Sequence, residues 1–199
     1  MKTAIKLKNV TKTYNNNLIL NDVSVDIPFE KVGVVGKNGA GKTTFLKLLA
    51  KFEKPDSGSI SFCELVNKVS LSSDCIVYPE FLTVSNIGYL YARESAINDS
   101  IFRRYINLFG LEPHIDEAVC NLSTGSLQKL RLSIALSSKH QFLMLDEPLN
   151  GLDDCSAKLA LDEILADSRP MLIVDHENRF THFLKGTLHI EHGTCNLKI

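Results

Sequence analysis

The sequence predicts an α/β fold built on a mostly parallel sheet. Three observations predict it. Val32-Gly33-Val34-Val35, Phe142–Leu145 and Met171–Val174 are short apolar runs, the pattern of strands buried on both faces. Helical spacing follows the first run, with Phe45, Leu48 and Leu49 inside Thr43–Lys51, and an amphipathic stretch, Ala157–Ala166, lies between the other two. Strands alternating with helices imply parallel strands joined by crossovers. The third observation is a change of character over residues 83–138, which reads as several helices and marks an insertion.

The remaining elements follow in order. Ala4–Lys8 and Val23–Ile27 alternate apolar and polar residues, as half-buried strands do, with a turn at Asn15-Asn16-Asn17 and a stop at Pro28. Lys54–Gly58 is a turn, and short strands follow around Ser59–Phe62 and Lys68–Ser72. In the helical stretch Gly110 and Pro113 are expected breaks. Thr187–Ile190 and Cys195–Ile199 read as closing strands. The expected organisation is one domain, with a core and a small antiparallel β subdomain over 1–73 and 139–199, and a helical subdomain over 74–138.

Bulk properties narrow the function classes. The 199 residues suffice for one domain with a sizeable core. A net charge of −1 supplies no field toward nucleic acid or anionic lipid, and no nucleic-acid partner is expected. Five scattered cysteines without a CxxC pair suggest neither zinc nor a disulfide framework, and fit reduced thiols in a cytosolic protein. The N-terminus is too polar for a signal peptide, and no apolar run reaches the ~18 residues of a membrane helix.

Gly36-Lys37-Asn38-Gly39-Ala40-Gly41-Lys42-Thr43 matches G-x-x-x-x-G-K-[ST] between a buried strand and a helix. Glycines there let backbone N–H groups wrap a phosphate, and the helix start adds a dipole that favours anions. Lys42 is placed to neutralise the β and γ phosphates and Thr43 to hold Mg²⁺. The expected nucleotide contacts comprise Gly36, Asn38, Gly39, Ala40, Gly41, Lys42, Thr43 and Thr44. The strand Phe142–Leu145 ends in Asp146 and Glu147. Ligands sit at the carboxyl ends of parallel strands, so Asp146 can face the Mg²⁺ beside Thr43, and Glu147 can act as general base on water.

Together these segments resemble the ATP-binding-cassette ATPases, and the resemblance runs over nearly the whole chain in the right order. Leu122-Ser123-Thr124-Gly125-Ser126, continued by Gln128-Lys129 and Ala135-Leu136, is similar to the family's LSGGQ signature. Asn150-Gly151-Leu152-Asp153 is similar to the D-loop, His176 after Ile173-Val174-Asp175 to the switch histidine, and Tyr14 to the aromatic that stacks on adenine. Alone, Tyr14 would read as a strand or turn residue, His176 as a surface histidine and Asp153 as a helix cap. The resemblance implies a P-loop NTPase (RecA-like) core and a role in ATP binding for Tyr14, Ser123, Gly125 and Asp153. It implies a catalytic role for Lys42, Glu147 and His176.

The sequence departs from the family in two places. Thr124 and Ser126 replace a Gly and a Gln of the signature, and a positive φ would be costly for a β-branched residue. Where a Q-loop glutamine is expected, an acid stands instead. One alignment makes it Asp74, a candidate Mg²⁺ ligand with Thr43 and Asp146, and another makes it Glu80. An ionised acid cannot donate the hydrogen bond an amide can.

The resemblance implies a partner cassette, identical or not, meeting this one head to tail with each ATP between one phosphate loop and the other signature. It also implies a separate transmembrane permease docking on the helical insertion, where Phe81, Leu82, Ile87, Tyr89 and Tyr91 supply apolar material. The chain is then cytoplasmic and peripheral to the inner face of the membrane. Its compact length resembles export ATPases more than importers with regulatory tails. The alternatives are a soluble cassette ATPase, for example in cluster assembly, and a weakly hydrolysing partner in a heterodimer. Replacing Glu147→Gln is expected to abolish nearly all turnover in a phosphate-release assay while ATP still binds.

Overall fold

A computed structural model describes residues 2–66, 68–94 and 96–199. The first two strands, β1 (Thr3–Tyr14) and β2 (Asn17–Pro28), form an antiparallel hairpin closed by Tyr14 opposite Asn17. Both turn residues, Asn15 and Asn16, take positive φ, the twist that two-residue hairpins need and asparagine tolerates. β4 (Ser57–Phe62) adds to the other edge of β1, giving a three-stranded sheet in the order β2-β1-β4. Ala4, Ile5, Leu7 and Val10 form its buried side.

The second sheet has six strands. These are β3 (Lys31–Val35), β5 (Val69–Ser72), β6 (Phe142–Asp146), β7 (Met171–Val174), β8 (Gly186–Glu191) and β9 (Thr194–Lys198). Their order is β5-β6-β7-β3-β8-β9. β3 runs parallel to β7 and β8, and β6 runs parallel to β7, while β9 closes the edge antiparallel to β8. All four residues of β7 and four of the five in β6 are buried, which is why those segments read as unbroken apolar runs. The register aligns the carboxyl ends. Val34 stands opposite Val174, and Val174 stands opposite Asp146. The phosphate loop, Asp146 and the segment carrying His176 therefore leave one edge of the sheet. α1 (Lys42–Leu49) begins directly after the loop and buries Phe45, Leu46, Leu48 and Leu49.

The helical stretch contains α2 (Val84–Arg93), α3 (Asp99–Leu108) and α4 (Thr124–Ser137), and α5 (Asp154–Ala166) follows β6. Each begins at a side chain that accepts a first-turn N–H: Thr83, Asn98, Ser123 and Asp153. The two expected breaks differ in kind. Gly110 takes a positive φ just past the end of α3, whereas Pro113 sits inside a 3-10 turn, Glu112–His114, whose first positions need no N–H donor. Ile87, Ile97, Phe102, Ile106, Leu130 and Ile134 belong to the core of these helices.

The chain divides into two compact units, one of Met1–Leu71, Gln141–Asp146 and Arg169–Ile199, the other of Ser72–His140 and Glu147–Ser168. The expected helical segment falls in the second. Residues 147–168, assigned by sequence to the core, group with it; within this unit Arg104 and Tyr105 of α3 both donate to the Glu163 carboxylate of α5. Among the described residues no helix is long and apolar enough to cross a membrane. Truncating Phe142→Ala in the middle of this sheet is expected to cost about 3–5 kcal/mol, through lost transfer energy and the cavity left behind. Urea unfolding monitored by circular dichroism measures it.

Candidate nucleotide-binding site

In the first unit the loop Gly36–Gly41 is shaped by its glycines. A Cβ on Gly36 would lie 2.3 Å from the Ile190 carbonyl oxygen, so the loop root admits no side chain. Gly39 and Gly41 take φ of 80° and 99°, a region closed to most side chains. Gly41 is also the N-cap of α1 and supplies no capping side chain. The first-turn N–H groups of α1 are therefore left for another acceptor, as an anion site requires. Lys42 is almost fully buried, and its ammonium donates to the carbonyls of Gly36 (2.8 Å) and Lys37 (3.1 Å). The cation is held across the loop it belongs to.

Thr43 and Asp146 meet at the carboxyl end of the sheet. The threonine hydroxyl donates to the Asp146 carboxylate at 3.0 Å, across 103 positions of sequence. Two hard oxygen donors beside a phosphate loop fit Mg²⁺, which takes few protein ligands and completes its shell with phosphate and water. Among the described residues no group of three or more His, Cys, Asp or Glu could hold a metal by itself. Tyr14 is half-buried. Its hydroxyl donates to Glu53 and also meets Thr44, and the Lys12 ammonium lies 5.2 Å from its ring centre. Burial first, then Glu53, pushes the Tyr14 phenol up to about 12. A cavity of about 270 Å³ flanks the loop, lined by Lys37–Ala40, Leu18, Ile19 and Glu191–Gly193. His176 is exposed in the segment after β7.

The second unit holds the other group of predicted residues. Ser123 caps α4, accepting from the Ser126 N–H (3.1 Å) and donating to the Ser126 hydroxyl (2.9 Å). Thr124 is the first helical residue, so its branched side chain meets no positive φ. Helical backbone at Thr124 carries no such strain. A Cβ on Gly125 would stand 2.7 Å from the Gly151 carbonyl oxygen, so this glycine is required by close approach to the loop of residues 150–153.

Asp153 caps α5 through Ser156 and pairs with Lys129 at 3.2 Å, and those bonds, Ser156 first, hold its carboxyl far below the usual range. The cap reading and the Lys129 contact coexist in one residue. Glu147 has a φ of 50°. A non-glycine residue in that region costs about 1–3 kcal/mol and persists only where its surroundings hold it. The holder is Gln128, buried in α4, whose amide donates to the carbonyls of Glu147 (3.2 Å) and Pro148 (3.0 Å).

Of the two acids offered for the Q-loop position, Glu80 is exposed. Asp74, a candidate metal ligand by sequence, instead gives its carboxylate to Arg131 of α4. Sequence reasoning passed over Arg131 and used Gln128 only as a match. The available signal was three long polar residues, Gln128, Lys129 and Arg131, inside the run Leu127–Leu136, where nearly everything else is apolar. Replacing Gln128→Leu removes both amide bonds at the Glu147 turn. It is expected to cost about 1–3 kcal/mol of stability and to lower the rate of ATP hydrolysis more than ATP affinity, as read from kcat and KM.

The family model described as "ABC transporter" matches residues 20–150. The chain is 32% identical over 166 residues to the spermidine/putrescine import ATP-binding protein PotA of Fusobacterium nucleatum, covering 76% of this chain and 44% of that protein. It is 35% identical to the zinc import ATP-binding protein ZnuC of Rickettsia bellii, over 76% of this chain and 65% of that one. It is 30% identical to the energy-coupling factor transporter ATP-binding protein EcfA1 of Thermotoga maritima, over 96% and 80%. The chain spans about half the length of several curated relatives it matches. Among solved structures, an ATP-binding subunit of an ABC transporter superposes with a TM-score of 0.84 at 20% identity, covering 98% of this chain and 90% of the other.

Proposed function

The chain belongs to the ABC transporter family, and we propose from that premise that it is the ATP-hydrolysing subunit of a transporter whose membrane-spanning permease is a separate polypeptide. The observation that carries this reading is the Thr43–Asp146 bond beside the buried Lys42 ammonium. Thr43 and Asp146 would hold Mg²⁺, which would neutralise charge developing on the transferred phosphoryl group. Lys42 turns from its loop carbonyls to the β and γ phosphates. Glu147 takes the proton of the attacking water, and the Gln128 bonds hold its backbone. His176, exposed in the segment that leaves the same sheet edge as Asp146, would serve the γ phosphate as the family's switch histidine.

Ser123 and the N–H groups near Gly125 serve the ATP of a second cassette, arranged head to tail. An N-capped helix start of this kind suits a phosphate. The partner is either identical or related. Asp74 as a third Mg²⁺ ligand finds less support, since Arg131 competes for its carboxylate.

The permease is expected on the helical unit, where the apolar residues split into two sets. Ile87 is buried, and Leu82 and Tyr91 pack against the core, so they belong to the fold. Phe81 is 79% exposed, Val77 84% and Tyr89 64%, and these supply the docking surface. On this reading the chain sits at the inner face of a membrane through its partner. Export rests only on compact length. Relatives named for import outweigh the bacitracin transport protein among those compared, so direction is assigned to the permease. The purified chain is expected to bind Mg²⁺-ATP, and Lys42→Ala to weaken binding by at least roughly tenfold in a fluorescent-nucleotide titration. Unchanged affinity would count against this use of the loop. ATP hydrolysis should rise when the permease is added and lose that rise in Phe81→Asp.

A further inference from the structure

The Arg131 guanidinium is 8% exposed, in the middle of α4. A buried cation needs partners, and Arg131 has them in one short segment. Nη1 donates to the Asp74 carboxylate, and Nη2 donates to the Ile76 carbonyl at 3.4 Å. Two residues further, Tyr78 is buried within reach of the same charge and packs edge-on to Tyr91. The segment leaving β5 is thereby held at Arg131 of α4. Asp74 is asymmetric to its partner, since its side chain is 88% exposed. Asp74 could trade its partner for water cheaply, but Arg131 could not.

We propose that Arg131 is a positioning residue that fastens Asp74–Ile76 to the helix whose first turn carries Ser123 and Gly125, and that Asp74 serves this tether and not the metal. The inference rests on the ATPase reading above and deepens it. It answers how a chain with an acid at the Q-loop position links that loop to the signature. The link is a charge pair within the helical unit, directed along α4 over about two turns to Ser123.

The test uses the full chain and three measurements. Asp74→Asn and Arg131→Met are each expected to raise amide hydrogen exchange over residues 73–78 by roughly tenfold. Each should lower kcat for ATP hydrolysis by roughly tenfold, with KM for ATP and the Mg²⁺ needed for half-maximal ATP binding held within about twofold. Arg131→Lys, which keeps the charge, should restore most of kcat. The double variant should be no worse than the poorer single, because both cut one link. An Asp74→Asn chain that needs about tenfold more Mg²⁺ assigns the carboxylate to the metal and overturns the proposal, and so does unchanged exchange over 73–78. If Arg131→Met does not fold, Asp74→Asn and Arg131→Lys still decide. Failure of the unaltered chain to bind ATP would sink the nucleotide reading instead, and the exchange data would still report the tether.

Discussion

The parallel register of β3, β7 and β6 is the constraint on which the first unit depends. Val34, Val174 and Asp146 share one rung, and each strand is buried on both faces. Because the side-chain period is two, a slip of one residue would turn Asp146 from the Thr43 hydroxyl to the opposite face. Burial makes that slip prohibitive, since the apolar residues would keep the backbone pairing but lose their neighbours. The 3.0 Å contact between residues so distant in sequence is thus a consequence of sheet packing. The helix dipole and the empty N-cap at Gly41 are then aimed by the strand that precedes them.

The second unit solves a different problem. Its functional residues lie on turns and helix starts, which hold little structure alone. Each is therefore tied to α4 or α5. Gln128 holds the Glu147 turn, Gly125 admits the Gly151 carbonyl, Lys129 reaches Asp153, and Arg131 takes Asp74. Four positions of one helix, spaced over less than two turns, reach three separate segments. α4 is a scaffold for loops as much as a helix opening on a phosphate. The left-handed backbone of Glu147 fits this view. Backbone strain of this kind survives only where the surroundings pin it, as the Gln128 amide does at Glu147 and Pro148.

The replacements in the signature also become intelligible at this level. Thr124 costs nothing at the first helical position, and Ser126 replaces a longer side chain with a hydroxyl bonded to the cap. Both changes preserve the helix start. The acid at position 74 is likewise matched by a cation on α4. Local departures from a family pattern are read more safely against their new partners than against the residue they displaced.

The sequence by itself determined the buried strands, the phosphate loop and the acids at the end of β6, while sheet register decided that Asp146 meets Thr43. Those signals are local: apolar runs, glycine spacing and charge at a strand end each follow from chain-neighbour chemistry. Caps at Ser123 and Asp153 were legible for the same reason, as each side chain satisfies an N–H three residues on. The tertiary structure alone decided the roles of Gln128 and Arg131, the destination of Asp74 and the grouping of residues 147–168 with the helices. Each of these depends on which long polar side chain finds which distant carbonyl or carboxylate. That choice is made by packing, because a buried amide or guanidinium must take the partner the fold brings within reach.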